Sequence, residues 1–276
     1  MSTPVPGSAP VRSVFGAGGK HAAILSPAMP VWDGGAFFTP VTEMLVRAGY
    51  QVTVYDTLSL LGEELAAGIG REPGAALAGL AARWATVLRE SGPLDLVGGA
   101  ALGGATALSL LSRPGFRQLP ALLISSPCRV DGVLDARLAE IVGPAEAGDL
   151  SAALQLLEQR VTPAGSPQPE PDDRAAGPAG PSGLGGPDGS PAAARIARGL
   201  GLLAGLDLGP ETARLTGPQL HLYGELSQLV NQRHAVPGRL PNISVVSVPW
   251  AGMRPQYDQP WFVERAVQAF LEEVAA

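Results

Sequence analysis

The 276-residue chain has a net charge of −6, and 46% of its residues are hydrophobic while 16% are charged. This size and composition suit one large globular domain with a substantial core. The acidic balance and the lack of a basic cluster argue against a nucleic-acid partner. A single cysteine, Cys128, excludes an internal disulfide and a zinc cluster built from cysteines.

The chain carries no recognisable targeting or metal-binding signal. Residues 1–13 lack the apolar segment of a signal peptide, and no uninterrupted apolar stretch reaches membrane-spanning length. We therefore predict a cytoplasmic protein without a membrane partner. Three scattered histidines form no ligand pattern, so we predict no metal and no cofactor. We expect His21 to begin a strand, His221 to be packed in the core and His234 to face solvent.

Short apolar runs alternate with helical patterns along the chain, as in a mostly parallel sheet covered by helices on both faces. The fold class predicted is therefore α/β. The predicted strands, in chain order, are 22–26, 51–55, 94–98, 120–125, 218–223 and 243–249. The predicted helices outside the region 130–215 are 37–48, 75–91, 102–112 and 260–274.

An insertion over 130–215 separates the fourth predicted strand from the fifth. Helical patterns cover 133–142, 150–160 and 192–206. Between them, 162–191 is a tract of Pro, Gly and Ser with one large apolar residue, Leu184, and it buries too little apolar surface to offset its ordering entropy. We predict a helical cap containing a mobile loop, which is either without a role or a lid that gates a substrate.

The segment 94–111, LDLVGGAALGGATALSLL, is a strand that enters a glycine-rich turn and then a helix. It resembles the nucleophile elbow of the α/β-hydrolase fold, whose motif is G-x-S-x-G. Gly99, Ala101 and Gly103 hold the three motif positions, and the strained turn needs small neighbours. A nucleotide-binding loop is disfavoured, because the spacing G-x-G-x-x-G does not match.

Two earlier segments are similar to the same family. Residues 24–35, ILSPAMPVWDGG, stand where the family carries its oxyanion loop, with Ser26 and Pro27 in place of a His-Gly pair. Residues 45–56, LVRAGYQVTVYD, resemble its passage of helix, glycine-aromatic pair, strand and aspartate, which here is Asp56.

Two later segments resemble the family's acid and histidine loops. In LHLYGELSQLV, Ser227 stands at the acid position, and in the segment beginning VPWAGMRPQYD, Met253 stands at the histidine position. The resemblance implies an α/β-hydrolase core over 1–129 and 216–276, with the cap over 130–215. It also implies that nucleophile, acid and base are all replaced, which removes ordinary serine-hydrolase chemistry.

A retained oxyanion hole would still stabilise a developing enolate. The resemblance assigns its two backbone N–H donors to Ala28 and Leu102, the latter at the start of a helix. We therefore predict a non-hydrolytic enzyme of bacterial natural-product biosynthesis. Its predicted reaction is intramolecular carbon–carbon bond formation, such as a conjugate addition, on a large hydrophobic polyketide-type intermediate.

Three polar residues near the predicted site are the candidate catalytic groups: Asp33, Arg254 and Tyr257. Asp33 follows the oxyanion loop and is either a base or a turn-forming residue before two glycines. Arg254 and Tyr257 follow Met253, and they either act on the substrate or lie exposed on the surface. The predicted substrate-binding residues are Met29, Trp32, Ala101, Cys128, Ser227 and Met253.

Several alternatives stay open at this point. Trp32 either stacks on a substrate or forms an apolar wall, and Cys128 is either a nucleophile or an inert core residue. The chain as a whole is alternatively a non-catalytic binding or self-resistance protein, or a hydrolase or lyase with a relocated centre at Cys128 or at an Asp33-activated water. The predicted partner is a hydrophobic small molecule, and a homodimer through the exposed flank of the cap remains open.

Overall fold

The computed structural model describes residues 9–166, 190–236, 238 and 240–275. Most of the Pro/Gly tract predicted to be a mobile loop, residues 167–189, lies outside these described residues. No helix in the described ranges has the length and apolar character needed to cross a membrane.

A seven-stranded sheet forms the centre of the molecule, in the order β1-β3-β2-β4-β5-β6-β7. All neighbouring strands are parallel except β1, which pairs antiparallel with β3 at one edge. The mostly parallel sheet confirms the predicted fold class. The strands are β1 (Arg12–Phe15), β2 (Lys20–Leu25), β3 (Tyr50–Tyr55), β4 (Leu96–Ala100), β5 (Ala121–Ile124), β6 (Gln219–Gly224) and β7 (Ile243–Val248).

Helices cover both faces of the sheet and fill the region between β5 and β6. The helices are α1 (Thr39–Arg47), α2 (Glu63–Ala66), α3 (Ala75–Glu90), α4 (Leu102–Leu111), α5 (Gly132–Glu146), α6 (Leu150–Val161), α7 (Pro191–Gly201), α8 (Gly209–Thr212), α9 (Gln232–Ala235), α10 (Pro255–Asp258) and α11 (Pro260–Ala275). The helices α5 to α8 all lie between β5 and β6, where the insertion was predicted.

Two apolar clusters, one on each face, hold these layers together. One joins α3 and α4 to the sheet and to the helices between β5 and β6, with Trp84 fully buried at its centre. The other joins α1 and α11 to the opposite face, through residues such as Leu45 and Phe270. The periodic apolar positions seen in the sequence are therefore the faces that pack on the sheet.

Helix α5 is longer than its sequence predicts. The helical pattern in the sequence ends at residue 142. A proline inside a helix loses a hydrogen bond and clashes with the preceding turn. The helix instead continues to Glu146 with Pro144 inside it. Gly143, directly before the proline, has no Cβ to clash with the proline ring, which makes the continuation tolerable.

The three histidines differ in their surroundings from one another. His21 lies at the start of β2, as expected. His221 is 1% exposed, and its Nε2 lies 3.0 Å from Oε1 of Gln219. The expectation that His234 faces solvent is wrong: it is 3% exposed, and its Nδ1 accepts a hydrogen bond from the N–H of Asn231, which caps α9.

Burial of His221 makes stability depend on pH. Burial lowers its pKa to about 4, below the value of 6.5 expected in the unfolded chain. The unfolded chain therefore binds more protons between these values, and the stabilising contribution, present above pH 6.5, is lost as the pH falls towards 4. We expect a loss of roughly 3 kcal/mol over this window. Urea unfolding at several pH values checks this. In the variant His221→Gln, the free energy of unfolding should no longer show this part of its dependence on pH.

Candidate functional site

A cavity of about 220 Å³ opens at the carboxyl end of the sheet, beside the turn between β4 and α4. Among the described residues, twenty line the cavity, and eighteen of these are apolar. They come from the loop after β2, from the turn at Ala101, from the helices between β5 and β6, and from the loops after β6 and β7. Sites in open α/β sheets collect at this end of the strands, so this cavity is the candidate functional site.

The turn from β4 into α4 has the strained geometry of an elbow. Ala101 has φ 47° and ψ −116°, which is unusual for a residue with a side chain. A Cβ on Gly99 would lie 2.5 Å from the carbonyl carbon of Gly103, and a Cβ on Gly103 would lie 2.1 Å from the carbonyl oxygen of Leu25. The glycines therefore let strand, turn and helix approach one another closely, and they project Ala101 into the cavity.

The two backbone groups assigned to the oxyanion hole both belong to the cavity wall. Leu102 is the first residue of α4, and its N–H has no acceptor within the helix. Ala28 lies on the loop after β2 and lines the same cavity. Among the described residues, neither N–H donates to a backbone or side-chain acceptor. Within the described chain both donors are thus open to a ligand, and the α4 dipole adds positive potential beside Leu102.

Helix α7 packs directly against these two residues. A Cβ on Gly199 would lie 2.6 Å from Cβ of Ala28 and 3.6 Å from a Cδ atom of Leu102. Arg195, one turn earlier, donates from Nε to the carbonyl oxygen of Met29 at 2.8 Å and pairs with Asp56 at the end of β3. Helix α7 therefore holds the Ala28–Met29 loop in place through these contacts.

The close contact at Gly199 can be tested by exchanging the two small residues. We expect Gly199→Ala to displace α7, because the new Cβ of residue 199 has no room beside Ala28. This displacement should weaken the binding of any cavity ligand about tenfold. Adding Ala28→Gly should restore most of the affinity, because it removes the atom nearest the new Cβ. Titration of one ligand against both variants checks this, and a double variant no better than Gly199→Ala contradicts it.

The helix α6 is fastened to the two loops assigned to the acid and the histidine. The N–H of Met253 donates to the carbonyl oxygen of Val161 at 2.9 Å. The side-chain amide of Gln228 donates to the carbonyl oxygens of Gln159 and Thr162 at 2.7 and 3.0 Å. Met253 is 7% exposed, lines the cavity and accepts the N–H of Val230 on its sulfur.

Of the three candidate catalytic residues, only Arg254 lines the cavity. Asp33 uses its carboxylate to accept the N–H groups of Gly35 and Phe37 at 2.8 and 2.7 Å, as a turn-forming residue does. Tyr257 donates its hydroxyl to the carbonyl oxygen of Ala36 at 2.7 Å. Burial, and then the negative charge of Asp33, raise the pKa of Tyr257, while Arg254 lowers it.

The structure therefore brings these three residues into one neighbourhood beside Phe37 but directs only Arg254 towards the cavity. Its nearest charged partner, Glu158 on α6, also lines the cavity and was not predicted. Nothing in its sequence context distinguishes Glu158 from other exposed acids of a cap helix. Asp33 and Tyr257 consequently lie outside the described lining of the cavity.

The six predicted substrate-binding residues divide equally. Met29, Ala101 and Met253 line the cavity, whereas Trp32, Cys128 and Ser227 do not. Trp32 packs against the apolar cluster of α1 and α11.

Cys128 and Ser227 are each occupied elsewhere. Cys128 is fully buried with its Sγ 3.4 Å from Oγ1 of Thr212, and burial raises its pKa to about 11, so it is a poor nucleophile. The Oγ of Ser227 accepts the N–H of Leu229 at 3.4 Å. Within the described part of the chain, no group of three His, Cys, Asp or Glu side chains could hold a metal ion.

No protein-family model and no curated protein sequence matches the chain. Solved structures do match it over nearly their whole length. An α/β-hydrolase enzyme from a Medee basin deep-sea metagenome library is 12% identical, with a TM-score of 0.69 and coverage of 95% of this chain and 94% of that one.

An enol-lactonase from Burkholderia xenovorans is 14% identical, with a TM-score of 0.67 and coverage of 95% and 96%. A bromoperoxidase from Bacillus anthracis is 15% identical, with a TM-score of 0.64 and coverage of 95% and 94%. At these identities the likeness concerns the fold, and it agrees with the elbow, the strand order and the position of the cavity. The chain has the α/β-hydrolase fold.

Proposed function

We propose that the chain binds a compact apolar carbonyl compound in this cavity and stabilises negative charge on its carbonyl oxygen without hydrolysing it. One observation carries the proposal: apolar Ala101 and Met253 line the cavity at the positions that the family resemblance assigns to nucleophile and base. A methyl group cannot attack a carbonyl carbon, and a thioether cannot accept its proton.

The binding groups are the free N–H donors of Ala28 and Leu102. In this role they would hold the oxygen on which charge develops, in a dry environment that strengthens each hydrogen bond. The apolar walls would hold the rest of the molecule. The cavity of about 220 Å³ is smaller than the roughly 300–1,000 Å³ of sites that enclose drug-sized ligands. A polycyclic substrate would therefore insert one part and leave the remainder at the rim.

The reaction that we favour is intramolecular carbon–carbon bond formation by conjugate addition. The donor carbon of the substrate loses its proton to water at the cavity rim, and the resulting carbanion adds to the β-carbon of an enone. The two N–H groups hold the enolate oxygen, and water then returns a proton to the α-carbon. The product is an isomer, so no co-reactant is needed. A place in bacterial natural-product biosynthesis remains part of this proposal, carried by the resemblance alone.

The proposal is tested by incubating the protein with extracts that contain polyketide-type intermediates and following masses and retention times. A product of unchanged mass and altered retention supports isomerisation, and Arg254→Gln and Gly199→Ala should slow its formation. A product heavier by one water contradicts the proposal, because it requires hydrolysis. The inhibitor control is a serine-directed fluorophosphonate, which should leave no adduct.

A second candidate is a binding protein without turnover. It is favoured by the pairing of Arg254 with Glu158 at 2.6 Å, since these are the two charged residues of the described cavity lining and neither is unpaired there. A compound that is retained tightly and never changes in mass would support this candidate over the enzyme.

A further inference from the structure

We propose that the natural ligand of the cavity is an apolar carboxylate, and that Arg254 is the residue that recognises its anionic group. This inference names the ligand class of the proposed function and rests on it. The ligand would place its carbonyl oxygen at the elbow and its carboxylate at the rim, with an apolar body between them.

The charges of the cavity are confined to one place. Arg254 and Glu158 are the two charged residues among the twenty described lining residues, and Nη2 of Arg254 lies 2.6 Å from Oε1 of Glu158. Their side chains are 37% and 57% exposed, so the pair lies at the rim where the cavity meets solvent. A charged group of a ligand can therefore be accommodated only there, since burying an unpaired charge among apolar walls is costly.

Arg254 retains most of its hydrogen-bonding capacity in this arrangement. A guanidinium carries five N–H donors in a fixed fork. One of them is used by Glu158, and among the described residues no other acceptor is bonded to the group. This contact is made through one N–H group at Nη2 and leaves other N–H groups of the guanidinium unused. Two neighbouring N–H groups of a guanidinium can bind a carboxylate through parallel hydrogen bonds.

Among the described lining residues, the unused polar groups of Ala28, Leu102 and Arg254 are donors. The N–H groups of Ala28 and Leu102 are free at the elbow, and Arg254 supplies further N–H donors at the rim. A ligand with an acceptor at each end satisfies them both. An ammonium ligand satisfies neither, and it would have to compete with Arg254 for Glu158 while being repelled by the guanidinium.

The neighbouring charges modulate this preference without reversing it. Glu158 repels an incoming carboxylate, so the wild-type affinity is a compromise between its repulsion and the attraction of Arg254. Asp33 is a second nearby acid, but it is exposed and its oxygens already accept two backbone N–H groups. Removing the charge of Glu158 is therefore expected to strengthen carboxylate binding, and removing that of Arg254 to weaken it.

The test compares octanoate, octan-1-ol and octylamine, which share one apolar chain and differ in charge, by calorimetric titration of the full chain near neutral pH. We expect octanoate to bind about tenfold tighter than octan-1-ol, which corresponds to one charge-assisted contact. Arg254→Gln should reduce that ratio to about one, because octanoate loses its charge-assisted contact. Glu158→Gln should increase the ratio several-fold.

A matched control is available on α6, the helix that carries Glu158. Arg160 of α6 pairs with Glu140 of α5, and neither residue lines the cavity. Arg160→Gln removes the same charge as Arg254→Gln, and it should leave the ratio of octanoate to octan-1-ol as in the wild type. Circular dichroism of each variant confirms that the fold is retained.

The outcomes separate this inference from the proposed function. Tighter binding of octylamine than of octanoate, or an unchanged ratio in Arg254→Gln, overturns the carboxylate assignment. Equal binding of octanoate and octan-1-ol also overturns it, while the apolar cavity function stands. Failure of all three probes to bind overturns both proposals.

Discussion

Replacing Gly103 with alanine is expected to lower the free energy of unfolding by about 3 kcal/mol or more, because the elbow has no room for a methyl group. The new Cβ would lie 2.1 Å from the carbonyl oxygen of Leu25 and 2.4 Å from that of Ser26. Both are backbone atoms at the end of β2, so no side-chain rotation relieves the clash. Either α4 or the loop after β2 must move, and the two N–H donors would separate.

Urea unfolding of the purified variant measures this change. Gly132→Ala is the matched control, since it adds the same methyl group at the start of α5, where a Cβ would meet nothing within 4 Å. The control should be as stable as the wild type or slightly more stable, as alanine is favoured over glycine in helices. Equal stability of the two variants would contradict the close packing of the elbow.

The requirement at Gly103 explains why the elbow could be predicted from sequence. The turn imposes its demand on residues close together in the chain, namely Gly99, Gly103 and Gly104, and a Cβ on Gly104 would meet the side chain of Ser126. A local pattern of small residues after an apolar strand is therefore a direct consequence of the geometry. The six parallel strands could be predicted for a similar reason, since buried strands are short continuous apolar runs.

Strand β1 escaped prediction because its signal is weak. Its four residues, Arg12–Phe15, alternate between exposed and half-buried positions at the edge of the sheet, and Val14 is 52% exposed. The strand is stabilised by its antiparallel pairing with β3, some forty residues later in the chain. A pattern of four residues is too short to distinguish such a strand from an irregular segment.

The candidate site could be predicted only in part, for a physical reason. Ala28, Ala101 and Met253 lie in loops that directly follow strands, and the fold fixes where those loops end. Leu157, Glu158 and the other lining residues of α5 to α7 depend on how these helices rotate as they pack, which local periodicity does not determine. For the same reason the environment of His234 was predicted wrongly, because its burial arises from contacts with the start of α5.

The partner of Asp56 is a further feature that local sequence patterns do not determine. The place of Asp56 at the end of β3 was evident from the sequence, but its partner is Arg195, 139 positions later on α7. The Asp56 side chain is 5% exposed and that of Arg195 is 24% exposed. Besides Arg195, the carboxylate accepts the N–H of Leu58 at 3.2 Å.

Replacing Arg195 with leucine should lower the free energy of unfolding by about 3 kcal/mol, since it leaves the Asp56 carboxylate buried without its counter-ion. Asp56→Asn should cost less, because the remaining guanidinium reaches solvent and the amide still accepts the N–H of Leu58. The double variant Arg195→Leu with Asp56→Asn should be more stable than Arg195→Leu alone, as no unpaired charge remains. Urea unfolding of the three variants measures this ordering.

Arg195→Leu should also weaken binding in the cavity, whereas an isolated loss of charge elsewhere should not. Arg195 donates to the carbonyl oxygen of Met29, the residue that follows the Ala28 donor, so its removal frees the loop that carries this N–H. Arg198→Leu is the control: Arg198 also lies on α7 and pairs with Glu63 of α2, but its side chain is 42% exposed and is not among the described residues that line the cavity. If Arg198→Leu and Arg195→Leu reduce stability and octan-1-ol affinity equally, the pair with Asp56 does not hold the oxyanion loop. If only Arg195→Leu does so, helix α7 is what holds the Ala28 loop, and its N–H donor, in place beside Leu102.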